Sequence, residues 1–156
     1  MIVEQEIIDA ISAGTGADRR IVVSDFGRGM MTKSVFEALD TAGHDRAQTI
    51  LLDPRPTSDE LQNQKFNLTN AIPAPNREEA ELLSGVQIGG ETFQEVQTSV
   101  LTAADAILEK FDKLAGVLIT CDKDGAFYVS KNDESIYVPS AIDSKWLINP
   151  SGAGDI

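Results

Sequence analysis

The chain has 156 residues, 42% hydrophobic and 24% charged, which suits a soluble domain with one sizeable core. With 25 acidic against 13 basic residues and a formal charge of −12 it carries no basic stripe, so nucleic acid and anionic membrane are excluded as expected partners. A lone cysteine, Cys121, excludes an internal disulfide, and a lone histidine, His44, excludes a histidine metal cluster, which makes the cytoplasm the expected compartment. A nucleotide stays compatible with this charge, because backbone amides and Mg²⁺ hold phosphate without many Lys or Arg. Met1 to Glu6 lacks a basic stretch ahead of a long apolar run, and nothing reaches membrane-spanning length. Neither a signal peptide nor a membrane span is expected.

Glu4 to Ala13 carries Ile7, Ile8 and Ile11 at helical spacing and ends at Gly14-Thr15-Gly16. Ile21-Val22-Val23 is a short β-branched strand closed by Ser24-Asp25. Thr32 can cap a helix burying Val35, Phe36 and Leu39 and stopping at Gly43, with His44 solvated beyond its end. Met31, with Met30, reads as core filler. Thr49 to Leu52 is the next strand, broken by Asp53-Pro54-Arg55-Pro56. Ala71-Ile72-Pro73 is briefly extended, and Asn76 caps a helix from Arg77 to Ser84 that Gly85 stops. Phe93, Val96, Val100, Ala104, Ile107 and Phe111 form the strongest helical stripe. Gly116 to Thr120 is a buried strand, Ala126–Val129 and Ser135–Val138 form a hairpin, and Trp146-Leu147-Ile148 is a further candidate strand.

Strands alternating with helices imply right-handed βαβ crossovers, so the expected fold is a layered α/β/α domain with a mostly parallel sheet and a late antiparallel hairpin. In open sheets ligands bind beyond the carboxyl ends of the strands. Asp25, Asp53, Asn76 and Thr120 each follow or end a predicted strand, so they should gather along one edge.

The most chemically pointed segment is Asn149-Pro150-Ser151-Gly152-Ala153-Gly154-Asp155. A Gly-Ala-Gly turn leaves successive backbone N–H groups free to converge on an anion, and small residues let a phosphate approach. Asp155 can then act as general base for a hydroxyl attacking that phosphate. Taken singly, each motif has a plainer meaning. Gly-Ala-Gly is a tight loop, Asn76-x-x-Glu79 a helix-capping pair, and Asp122 to Gly125 a hairpin turn.

Together, and in order, these segments resemble the ribokinase-type sugar kinase superfamily, also called PfkB. Asn149 to Asp155 is similar to its Asp-Thr-x-Gly-Ala-Gly-Asp signature, Pro75-Asn76-Arg77-Glu78-Glu79 to its Pro-Asn-x-x-Glu element, and Thr120 to Gly125 to its Thr-x-Gly-x-x-Gly nucleotide loop. Ser24-Asp25-Phe26-Gly27-Arg28-Gly29 and Leu52-Asp53-Pro54-Arg55 resemble segments of the heptose-7-phosphate kinase branch. The resemblance implies ATP-dependent phosphoryl transfer to a sugar or sugar phosphate hydroxyl, with Mg²⁺. It makes Asp155 the base and Gly152, Ala153 and Gly154 the anion hole. Asn76 and Glu79 become the Mg²⁺-positioning pair, and Thr120, Asp122 and Gly125 the loop against the nucleotide. Asp25, Arg28 and Gly29 would face the phosphosugar, where a guanidinium suits an anionic substrate.

Three departures accompany the match. Asn149-Pro150 stands where the family has Asp-Thr, and Asp122 stands where Gly or Ser is usual, repelling phosphate unless metal or Lys123 screens it. Relative to the family, residues 1–156 correspond to one partial domain, its central nucleotide-side part. The sugar-binding half would precede it, and the end of the adenine pocket would follow. Such a piece is expected to expose strand edges, to self-associate through them, and to be weakly active alone. The contrasting expectation is a non-catalytic binding or assembly module of kinase descent.

Overall fold

A computed structural model of the chain describes residues 2–14, 20–24, 31–45, 47–53, 64–132 and 134–141. In chain order these form α1 (Ile2–Ala13), β1 (Arg20–Ser24), α2 (Lys33–Asp45), β2 (Thr49–Asp53), β3 (Ala71–Pro73), α3 (Arg77–Ser84), α4 (Phe93–Lys110), β4 (Gly116–Thr120), β5 (Ala126–Ser130) and β6 (Ser135–Val138). Single 3-10 turns occupy Gln64–Asn67 and Asp122–Asp124. None of the described helices is long and apolar enough to cross a membrane.

Strands β1, β2 and β3 form a parallel sheet in that order, with Ile21 opposite Ile50 and Ile50 opposite Ala71. Strands β4, β5 and β6 form an antiparallel sheet, with Ile119 opposite Phe127 and Phe127 opposite Tyr137. The two sheets meet along β3 and β4. There the Ala115 N–H donates to the Ala71 carbonyl at 2.9 Å, the Thr120 N–H donates to the Pro75 carbonyl at 3.0 Å, and Asn76 and Thr120 form an isolated parallel bridge. The antiparallel addition is therefore larger than the expected hairpin, because β4 itself pairs antiparallel with β5.

One apolar core runs under both sheets, and Ile50, Leu52, Ile107 and Ile119 within it are fully buried. The stripe on α4 buries Val96, Val100, Ala104 and Ile107 as expected, with Phe111 just past its end, while Phe93 stays 44% exposed. Phe93 instead packs beside Phe127 and Tyr137, its ring centroid 4.9 Å from that of Tyr137. Phe66, which no periodicity marks, is fully buried with its ring centroid 5.3 Å from that of Phe111. On the parallel sheet the register aligns Val22, Leu51 and Ile72, and Val22 is 70% exposed. A parallel sheet is ordinarily covered on both faces. Among the described residues this one is not.

Helix α2 runs past the expected stop at Gly43 to Asp45, so His44 lies in its last turn, exposed, with Nδ1 2.9 Å from the Asp45 carboxylate. Gly43 is buried inside the helix, and a Cβ there would collide with the backbone carbonyl of Thr69. The glycine permits close packing of α2 on the segment entering β3, where the Thr69 N–H donates to Asp40 Oδ1 at 2.8 Å. Burial opposes ionisation of Asp40, but the Thr69 N–H and the Lys113 ammonium outweigh it and hold its pKa below the usual carboxylate value. Replacing Gly43 by alanine is expected to destabilise the chain by about 1–3 kcal/mol, since a backbone carbonyl cannot move aside as a flexible side chain can. The urea midpoint of Gly43→Ala against the parent measures this, and an unchanged midpoint would contradict the packing.

Candidate active site

Pro75 carries no N–H and holds the chain extended before α3, so Asn76 begins the helix from a β conformation, φ −73° and ψ 176°. The Glu79 N–H donates to Asn76 Oδ1 at 2.9 Å, and the Asn76 N–H donates to Glu79 Oε2 at 3.0 Å. The pair is thus a complete capping box, and Glu78 and Glu79 sit in the first turn, where the helix dipole favours acids. The plain capping role of Asn-x-x-Glu is real. It also brings two oxygen-bearing side chains together on an exposed edge.

Across the seam, Thr120 ends β4 beside Asn76. The loop after it closes on itself: the Cys121 N–H donates to the Gly125 carbonyl at 2.7 Å, the Asp124 N–H to Cys121 at 2.8 Å, and the Gly125 N–H to Asp122 at 3.1 Å. Asp122 takes a left-handed conformation with φ 46°. Gly125, at φ 82° and ψ −150°, occupies a region that L side chains avoid, and a Cβ there would collide with the Val138 carbonyl. The loop is a β4–β5 hairpin connection, so the plain hairpin reading also holds.

The bridge therefore sets the Asn76–Glu79 cap beside the start of the Thr120–Gly125 loop, although 44 residues separate Asn76 from Thr120 in the chain. At the same carboxyl ends of the parallel strands, Ser24 Oγ donates to Asp53 Oδ2 at 3.0 Å, which makes Asp53 a strand-end partner as well as a terminator. Asp25, Arg28, Gly29, Gly152, Ala153, Gly154 and Asp155 lie outside the described residues. So do Met30 and the candidate strand Trp146-Leu147-Ile148, whereas Met31 is buried as expected of core filler.

Two residues given no role above connect the motifs. Arg77, the first residue of α3, places Nη2 2.7 Å from Asp124 Oδ2 and 3.4 Å from the Cys121 carbonyl. Burial opposes the charge on Arg77, but the Asp124 hydrogen bond and the fields of Cys121, Asp124 and Asp122 together outweigh it and raise its pKa. Buried Cys121 has its thiol pushed up to about 11, first by desolvation and then by the nearby Asp124 and Asp122, against an opposing effect from Arg77. Sequence inspection could have flagged only an arginine inside one motif and an acid inside the other.

The donor set suits Mg²⁺, a hard cation that keeps several waters and takes one or two carboxylates plus substrate phosphates. The carboxylate of Glu79 and the amide oxygen of Asn76 are donors of that kind at an exposed position. Among the described residues no group of three or more His, Cys, Asp or Glu side chains could cage a metal alone.

Residues 17–156 match the model of the pfkB family carbohydrate kinases. The chain belongs to this family. It is 31% identical over 153 residues to the bifunctional protein HldE of Pelobacter propionicus and 32% identical over 152 residues to that of Citrifermentans bemidjiense. These alignments take in 98% and 97% of this chain but 28% of each relative. The chain thus spans a little over a quarter of the length of those relatives. Among solved structures, Escherichia coli phosphofructokinase-2 in complex with substrates and products superposes with a TM-score of 0.67 at 18% identity, over 97% of this chain and 45% of that one. Arabidopsis thaliana ribokinase complexed with ribose and ATP gives 0.64 at 16% identity, over 96% and 42%. These likenesses establish the ribokinase-like pfkB fold.

Within this pfkB domain, Asn76→Ala is expected to lose about 1 kcal/mol through the cap, and Asn76→Asp to lose less, as a thermal melt would show. Cys121 supplies a pH test. A thiol whose pKa rises from 9.0 to about 11 on folding leaves the unfolded chain binding fewer protons between those values, so stability falls as pH climbs through that window. Urea titrations from pH 8 to pH 11 should show a shallower alkaline decline in Cys121→Ala than in the parent. Equal slopes would contradict the buried neutral thiol.

Proposed function

We propose that this chain is the nucleotide-side core of an ATP-dependent carbohydrate kinase that phosphorylates a sugar or sugar phosphate, with D-glycero-D-manno-heptose 7-phosphate as acceptor. The observation that carries the proposal is the bridge between Asn76 and Thr120, which sets the Asn76–Glu79 cap beside the Thr120–Gly125 loop at the carboxyl edge of the sheet. Membership in the pfkB family supports phosphoryl transfer. The heptose acceptor rests on the Ser24–Gly29 and Asp53-Pro54-Arg55 segments and on likeness to the HldE proteins.

In this proposal Asn76 and Glu79 hold Mg²⁺ and its waters, and the cation neutralises charge on the phosphates when bound. Thr120, Asp122 and Gly125 lie against the nucleotide. Asp155 takes the proton of the acceptor hydroxyl as its oxygen bonds to the γ-phosphorus and the bond to the ADP oxygen breaks. The amides of Gly152, Ala153 and Gly154 stabilise the charge that builds on the transferred group. Asp25, Arg28 and Gly29 face the phosphosugar. Cytoplasm is the proposed compartment, and the aligned Val22 and Leu51 support self-association of the chain through its open sheet face.

Mg·ATP at millimolar concentration is expected to raise the melting temperature of the chain, ATP without metal less so, and Glu79→Gln to remove most of the metal-dependent part. In the intact kinase, Asp155→Asn should keep the nucleotide shift while ADP release with heptose 7-phosphate falls by about 10³-fold or more. No Mg·ATP shift at all would favour the non-catalytic module, to which Asp122 and Asn149-Pro150 lend support.

A further inference from the structure

We infer that Arg77 and Asp124 form a clasp that sets the position of the nucleotide loop against the metal-side cap, making Arg77 a positioning residue. The inference deepens the proposed nucleotide site and rests on that assignment. Arg77 lies between Asn76 and Glu79 in sequence but reaches away from both, so one residue of the metal-side motif grips the loop that begins 44 residues after it at Cys121. Its Nη2 spans two parts of that loop, the Asp124 carboxylate at 2.7 Å and the Cys121 carbonyl at 3.4 Å.

The side chains of Arg77 and Asp124 are only 26% and 18% exposed, so water screens their contact less than it would a surface pair. Stability alone gives a poor account of the contact. Arg77 Nε is buried with no acceptor among the described residues, and a partly buried ion pair returns little net stability once desolvation is charged against it. What the pair does supply is geometry. The loop holds Asp122 at φ 46°, a strained conformation for an L residue, and turns at Gly125 with φ 82°, and inside it the Cys121 carbonyl already accepts the Asp124 N–H. Arg77 therefore anchors the same peptide group that closes the turn. With the Thr120–Pro75 bond at the loop's start, the clasp secures the loop at a second point.

The test uses two substitutions whose electrostatic effects on a polyanion have opposite signs. Arg77→Gln removes a positive charge near the phosphates, and Asp124→Asn removes a negative one. Through-space electrostatics alone would weaken Mg·ATP binding in the first and strengthen it in the second. The clasp weakens both, by about tenfold each, and Arg77→Lys, which keeps a donor in reach of Asp124, recovers most of the loss. Affinity is measured by calorimetric titration of Mg·ATP into each folded variant, with circular dichroism establishing the fold. Amide hydrogen exchange at Cys121, Asp124 and Gly125 without nucleotide is the second readout, and is expected to accelerate several-fold in Arg77→Gln and Asp124→Asn. Tighter binding by Asp124→Asn, or unchanged exchange at these three amides, would overturn the clasp. If the parent binds no Mg·ATP while exchange still accelerates in both variants, the clasp stands and the nucleotide assignment falls.

Discussion

Hydrogen bonds from Ala115, just before β4, and Thr120, at its end, to the backbone carbonyls of Ala71 and Pro75 hold the molecule's two halves in register. They join a parallel sheet to an antiparallel one, and the candidate site exists only where they do so. Pro75 has no N–H to donate, so its carbonyl is its whole contribution to the seam, and that carbonyl accepts from Thr120. A slip of one residue along β4 would turn Thr120 to the opposite face, part it from Asn76, and carry the Cys121–Gly125 loop with it. Core and site therefore depend on the same register. Ile119, one residue before Thr120, is fully buried, so the packing that fixes β4 also fixes the loop beyond it.

The charge of −12 makes a phosphate-handling role counterintuitive, and the local structure accounts for how the two are compatible. Three acids near the carboxyl ends of the strands are engaged. Glu79 accepts from the Asn76 amide, Asp124 pairs with Arg77, and Asp53 accepts from Ser24. A carboxylate that is hydrogen-bonded or paired presents less bare negative charge to an incoming anion than its formal count suggests. Asp122 was expected to depend on Lys123 for screening. Arg77 lies within its field as well.

Features set by short-range chemistry were legible in the sequence. The Asn76 cap, the Gly85 stop and the buried stripe on α4 follow from spacing and capping preference, and the motif order identified the pfkB fold. Features set by distant partners were not. Gly43 reads as a helix stop because a glycine after a helical run usually is one, yet here it makes room for the Thr69 carbonyl. Phe66 sits in a single 3-10 turn with no period to betray it, and its burial follows from the approach of Phe111. The apolar run of β4 looks alike in either sheet type, so only the hairpin-turn reading of Asp122 to Gly125 pointed to its antiparallel pairing with β5. Arg77 and Asp124 are 47 residues apart, and only the seam makes them neighbours.

In the proposed function the seam assembles two sequence-distant motifs into one nucleotide-facing surface. Titrating the ¹⁵N-labelled chain with the Mg²⁺ complex of a non-hydrolysable ATP analogue tests it directly, by following backbone amide shifts. Asn76, Glu79, Thr120 and Gly125 are expected to shift together along one binding curve while Gly116, at the far end of β4, stays in place. Shifts confined to one motif, or two motifs titrating with separate affinities, would contradict it.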